Sequence, residues 1–122
     1  MKIRKFEDII AWQKARVLVI QLRASFKDNK DFSFKDQLFR ASLSIMNNIA
    51  EGFDRGTDKE LKHFLVIARG STAEVRSMLV VALDFDYLPS DKQHDLIALT
   101  EEISRLLTGF IKKLNWELAT DD

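Results

Sequence analysis

The chain has 122 residues, 46% apolar and 31% charged, with Lys/Arg and Asp/Glu in equal number. This length suits one domain over residues 1–122 with a sizeable core, and the lack of cysteine excludes disulfides and thiolate metal sites and fits a reducing cytoplasm. No stretch reaches the roughly 18 consecutive apolar residues of a membrane span, and MKIRKFEDII carries charge where a secretory signal needs its apolar region; the expectation is a cytoplasmic protein with no membrane partner.

One proline and four glycines leave little turn chemistry for a β fold, and the apolar residues recur at helical spacing from end to end. The first segment holds Phe6, Ile9, Ile10, Trp12, Leu18, Val19, Leu22 and Phe26. The second runs Phe34, Leu38, Ala41, Ile45, Ile49, Phe53, opened by SFKD with Ser33 as N-cap and Asp36 three residues on. Gly52 falls in its last turns, and Gly56 can take the left-handed conformation that ends it. TDKE at Thr57–Glu60 then reads as a capping box for a third helix carrying Leu61, Phe64, Leu65, Ala68, Thr72, Val75, Leu79 and Ala82. PSDKQ places Ser90 after Pro89 with Gln93 closing a third box, and the fourth helix carries Leu96, Leu99, Ile103, Leu106, Leu107, Phe110 and Leu114. Short connections make consecutive helices antiparallel, so the pattern predicts an all-α, up-down-up-down four-helix bundle.

A bundle helix needs one apolar stripe, and three of these have more. Val17, Leu18, Val19, Ile20 and Leu22 cover most of helix one. Phe39, Leu43, Met46 and Ala50 form a second stripe on helix two, about 100° from the first. Helix three adds Val66, Ile67, Val80 and Val81. Large exposed apolar patches are a liability on a soluble monomer, so the surplus on helices one and two predicts a homo-oligomer with Val17, Ile20, Phe39, Leu43 and Met46 at its interface. A crowded core that absorbs these residues is the alternative.

Little in the sequence points to catalysis. Glu60-x-x-His63 and Asp91-x-x-His94 match the spacing of carboxylate-bridged di-iron bundles, but they open helices that start at opposite ends of the bundle, and both histidines point off the apolar stripes. No glycine-flanked nucleophile elbow or phosphate-cradling loop is present. The expectation is a non-enzyme without metal or cofactor.

Polar residues suggest contacts instead. Arg40, Ser44, Asn47 and Glu51 line one side of helix two, with Asn48 at the edge of its core stripe, while Gly70, Ser71 and Glu74 give helix three a small polar section at mid-length. Pairing of Asn48 or Glu51 with Ser71 or Arg69 would set the register of the two helices; an i,i+4 Glu51–Arg55 pair on a solvated face is the competing arrangement. Charge is also unevenly spread: residues 1–76 hold 15 basic against 10 acidic groups, and residues 77–122 hold 4 against 9. Lys62, Arg69 and Arg76 are spaced by sevens, within about 40° of one another over roughly 21 Å of helix, and Arg55 and Lys59 extend this basic character. Such a row can follow a phosphate backbone without reading bases; equally, it can pair with an acidic neighbour within the fold.

The segments FEDIIAWQKA (6–15), SLSIMNNIAEGFDRGTDKE (42–60) and FLVIARGSTAEVRSML (64–79), in that order, resemble the four-helix-bundle proteins encoded in intervening sequences of bacterial 23S rRNA genes. That family includes the accessory variability proteins of diversity-generating retroelements. The resemblance spans almost the whole chain. It implies a bundle assembled into a ring-like homopentamer and, in the retroelement branch, a basic protein that binds nucleic acid and a reverse transcriptase. Asn48, Glu51, Gly52, Arg55, Gly70, Ser71 and Glu74 match the family pattern, where a structural role is implied. The chain departs from that pattern at Met46, where many members carry proline, and in its zero net charge. Two functions stand: an oligomeric bundle binding structured RNA or DNA through Arg55, Lys59, Lys62, Arg69 and Arg76, or an assembly module recruiting a protein partner without nucleic acid.

Overall fold

The computed structural model describes residues 3–120, with side chains described through Trp116; positions 1–2 and 121–122 of the single expected domain lie outside the described residues. A 3-10 turn at Phe6–Asp8 precedes α1 (Ile10–Phe26), α2 (Phe32–Asp54), α3 (Asp58–Asp84) and α4 (Ser90–Thr120). α1 packs on α2 and α4, α2 on α3, and α3 on α4, and among the described residues the diagonal pairs make no close approach. The chain is an all-α, antiparallel four-helix bundle. No helix among the described residues is long and apolar enough to cross a membrane.

The core follows from the helical period. α1 contributes Leu18, Leu22 and Phe26, α2 Leu38, Ile45 and Ile49, α3 Leu65, Val75 and Leu79, and α4 Leu96, Ile103 and Leu107, all fully buried. Burial of each such side chain is worth about 1.5–3 kcal/mol. Alanines at 11, 15, 41, 68 and 82 sit among them, the alternation of small and large that lets facing helices interdigitate. The three buried hydroxyls donate back into their own helices: Ser42 to the Phe39 carbonyl at 2.9 Å, Thr72 to Ala68 at 2.8 Å and Thr100 to Ile97 at 2.6 Å. Among the described residues no buried polar side-chain atom lacks a partner.

The helix starts hold three departures from the expected pattern. The first segment is interrupted: the Asp8 carboxylate accepts from the backbone N–H of Arg4 at 3.1 Å and of Lys5 at 3.3 Å. That closes the 3-10 turn, and Ile9 is extended at φ −76°, ψ 120° before α1 begins. Ile10 is consequently half-exposed rather than core. At α2 the N-cap is Asp31, not Ser33; its carboxylate accepts from Phe34 N–H at 3.2 Å and from the Tyr87 hydroxyl at 2.6 Å. A carboxylate held by a residue from the α3–α4 loop outcompetes a free serine hydroxyl two positions on. At α4 the Gln93 amide does not close a box on Ser90 but donates to the Leu79 carbonyl of α3 at 3.5 Å.

Candidate nucleic-acid interface

The α2–α3 corner is built as its residue types dictate. Arg55 closes α2 through its N–H to the Glu51 carbonyl at 3.1 Å. Gly56 then turns left-handed at φ 89°, a conformation that costs side-chain-bearing residues roughly 1–2 kcal/mol. The Thr57 hydroxyl accepts from Glu60 N–H at 3.2 Å and caps α3. Glu60 makes no return bond among the described residues, so only the hydroxyl half of the expected box forms.

This turn places Arg55 above Phe64, its guanidinium carbon 5.1 Å from the ring centroid, while Nη2 reaches Glu51 Oε1 at 3.0 Å. His63 meets the same ring edge-on at 5.3 Å. Arg55, Lys59 and Lys62 line an open groove of about 810 Å³ with Glu60, His63 and Phe64. Lys59 and Lys62 form no ion pair among the described residues. Glu51 compensates Arg55, so the two lysines facing Glu60 supply the surplus of positive charge in the lining itself.

The other two cations of the seven-spaced row leave it. Arg69 Nη1 donates to Thr108 Oγ1 of α4 at 3.3 Å, and Arg76 lies 3.8 Å from Glu101 Oε2 of the same helix. The row runs along the α3–α4 seam, and the neighbouring helix engages its middle and far end. A pair as exposed as Arg76–Glu101 contributes little, about 0–1 kcal/mol, but it compensates the charge.

The expected register contact forms with different partners. Ser44 Oγ lies 2.9 Å from Ser71 Oγ across the α2–α3 seam, and the Asn48 amide donates to the Ser44 carbonyl at 2.8 Å and to its hydroxyl at 2.9 Å. Among the described residues, Asn48 thus bonds toward α3 through Ser44. Glu51 turns to Arg55 instead of Ser71 or Arg69, the i,i+4 arrangement. Glu74 is approached by Gln37 Nε2 at 3.5 Å.

Among the expected interface residues, Val17, Ile20 and Leu43 are exposed, Ile20 at 58%, whereas Phe39 and Met46 are partly buried against the core. Phe32, 64% exposed, adds to the α2 face. Among the described residues no three His, Cys, Asp or Glu side chains gather as metal ligands would. Residue spacing brought Glu60 and His63 together but gave no sign that Phe64 shares the groove with them, because Phe64 reads as core. Ser44 was visible only as one member of a polar row.

A short-looped antiparallel bundle whose α2–α3 corner presents a basic groove is the class of protein that fold and site define. The sequence matches the 23S rRNA-intervening sequence protein family over residues 7–109, and the chain belongs to that family. Its fold is similar to the crystal structure of a protein of unknown function from the S23 ribosomal protein family of Bacteroides thetaiotaomicron, with a TM-score of 0.78 at 20% identity, covering 84% of this chain and 96% of the other. None of the curated proteins compared matches the sequence.

Proposed function

We propose that this chain is a non-enzymatic, self-associating bundle of the cytoplasm that binds structured RNA or DNA through the groove at Arg55, Lys59 and Lys62. The observation that carries the reading is a solvent-open groove lined by these three cations, two of them free of ion pairs among the described residues. Lysine and arginine at such a place bind phosphates by displacing counterions, with affinity that falls steeply as salt rises. Arg69 and Arg76 take a lesser part in this reading, since α4 engages both. The assembly is the ring of five that the family resemblance implies, with Val17, Ile20 and Leu43 between copies.

A second reading, an assembly module that recruits a protein partner, is favoured by the exposed apolar side chains of Ile20, Leu43 and Phe32. A fluorescent hairpin RNA titrated at low salt and again at about 200 mM separates the two. Affinity lost with salt, and lost in Lys59→Glu/Lys62→Glu with the oligomer unchanged, supports nucleic-acid binding. No binding at low salt leaves the assembly module.

A further inference from the structure

Resting on the nucleic-acid reading above, we propose that the groove takes a terminal phosphate monoester of the bound strand and does not follow a continuous backbone. A backbone track needs free cations spread along its length. Here the free ones are confined to the corner, because the Arg69 guanidinium is held by Thr108 and that of Arg76 by Glu101. Beyond Lys62 the outward surface of α3 presents Val66 and Ile67, 42% and 39% exposed, followed by Gly70 and Ala73. A strand leaving the groove that way meets Arg69, half-buried and turned to the Thr108 hydroxyl, and then the paired Arg76. The row offers it no further cation without a side-chain partner.

The corner carries carboxylates as well, Glu60 in the groove lining and Glu51 on Arg55. Glu51, Asp54, Asp58 and Glu60 are all exposed around the same corner, and they repel a polyanion. Two lysines unpaired among the described residues and set among carboxylates, with apolar residues beyond Lys62, fit a point anion. A phosphate monoester carries about −1.5 to −2 charges near neutral pH, more than the single charge of a bridging diester. Stacking of a base is not the recognition mode: Arg55 covers the Phe64 ring and His63 meets its edge. The site reads a charge at a chain end, independent of sequence.

One internally labelled hairpin RNA, made with a 5′-phosphate, a 3′-phosphate or hydroxyls at both ends, tests this with the unaltered protein. One phosphorylated form is expected to bind about tenfold more tightly than the hydroxyl form, the scale of one added charge in a partly solvated site. Lys59→Ala/Lys62→Ala abolishes the difference, and Arg23→Ala on α1 does not. Equal, salt-sensitive binding of all three RNAs overturns the terminal-phosphate site and leaves nucleic-acid binding standing. Failure of every form to bind at low salt removes both.

Discussion

Gly52 of α2 and Phe64 of α3 approach so closely that a Cβ at position 52 would lie 2.6 Å from the Phe64 Cβ, and 3.3 Å from Leu61 Cδ1. The near atom is the root of the phenylalanine side chain, which cannot swing away without moving α3. This approach seats Phe64 beneath Arg55 and so shapes the basic groove. In Gly52→Ala, a helix-propensity gain of about 1 kcal/mol is opposed by an overpacking cost of about 1–3 kcal/mol. The expected outcome is net destabilisation of up to about 2 kcal/mol in chemical denaturation, with weakened RNA affinity. A stabilised variant would show that α2 and α3 separate freely at this end.

Gly70 behaves oppositely. It lies on the exposed face of α3, where a Cβ would meet nothing within 4 Å, so it does not serve the close helix approach that its place in a small-residue section suggests. Gly70→Ala should stabilise the fold by about 0.5–1 kcal/mol. Gly56→Ala, forced into the left-handed region at φ 89°, should cost about 1–2 kcal/mol. Denaturation midpoints of the two variants should move in opposite directions.

These glycines mark where sequence reasoning carries and where it stops. Period and capping are local, so the four helices, the stripe from Leu96 to Leu114, the Thr57 cap and the left-handed Gly56 were all legible. The Asp31 cap was not, because Tyr87 selects it from 56 positions away. Spacing by sevens correctly placed Lys62, Arg69 and Arg76 on one flank of α3 but could not say that α4 lies against it. Gly52 was legible as a residue of the last turns of α2; its steric role needed the position of Phe64. Likewise Ser44 and Ser71 sit at helical spacing in separate rows, and only the packing of α2 on α3 brings them together.

The Ser44–Ser71 contact, with Asn48 donating to Ser44, gives the α2–α3 seam a polar lock at mid-length. A net hydrogen bond of this kind is worth about 0.5–1.5 kcal/mol. Ser44→Ala and Ser71→Ala should each destabilise by about that much, and their double mutant by less than the sum. Strict additivity in the cycle would show that the hydroxyls do not interact.

Asp31 and Tyr87 join the two loops at the other end of the bundle and should give stability a pH dependence at both extremes. The Tyr87 hydroxyl, then the Phe34 N–H, hold the Asp31 carboxyl below its ordinary 3.8, and the bond to Asp31 raises the phenol above its ordinary 10.0. A depressed carboxyl contributes stability that is complete above its unfolded value and lost as pH falls through the lower folded one. A raised phenol contributes stability that is complete below its unfolded value and lost as pH rises through the higher folded one. Thermal midpoints followed from acid to alkaline pH should therefore fall at both ends. Tyr87→Phe should lower the plateau, remove the alkaline fall due to this pair and shrink the acid one, leaving what Phe34 N–H sustains. An unchanged profile in that variant would mean the 2.6 Å bond does not persist in solution.

Self-association rests on side chains the fold leaves in solvent, so it can be attacked without touching the core. Ile20 is 58% and Leu43 43% exposed, whereas Phe39 and Met46 already pack against buried residues and would confuse assembly with folding. Ile20→Glu/Leu43→Glu should keep full helicity and a near-native melting curve, because exposed substitutions away from caps and core usually shift stability within about 0.5 kcal/mol. If these faces join copies, multi-angle light scattering should show the double variant falling to a smaller species while the unaltered protein runs as an oligomer. A single-chain mass for the unaltered protein would end the self-association reading. An oligomer that survives both charges would move the interface to the Val66, Val80 face of α3, an exposed apolar surface on another helix.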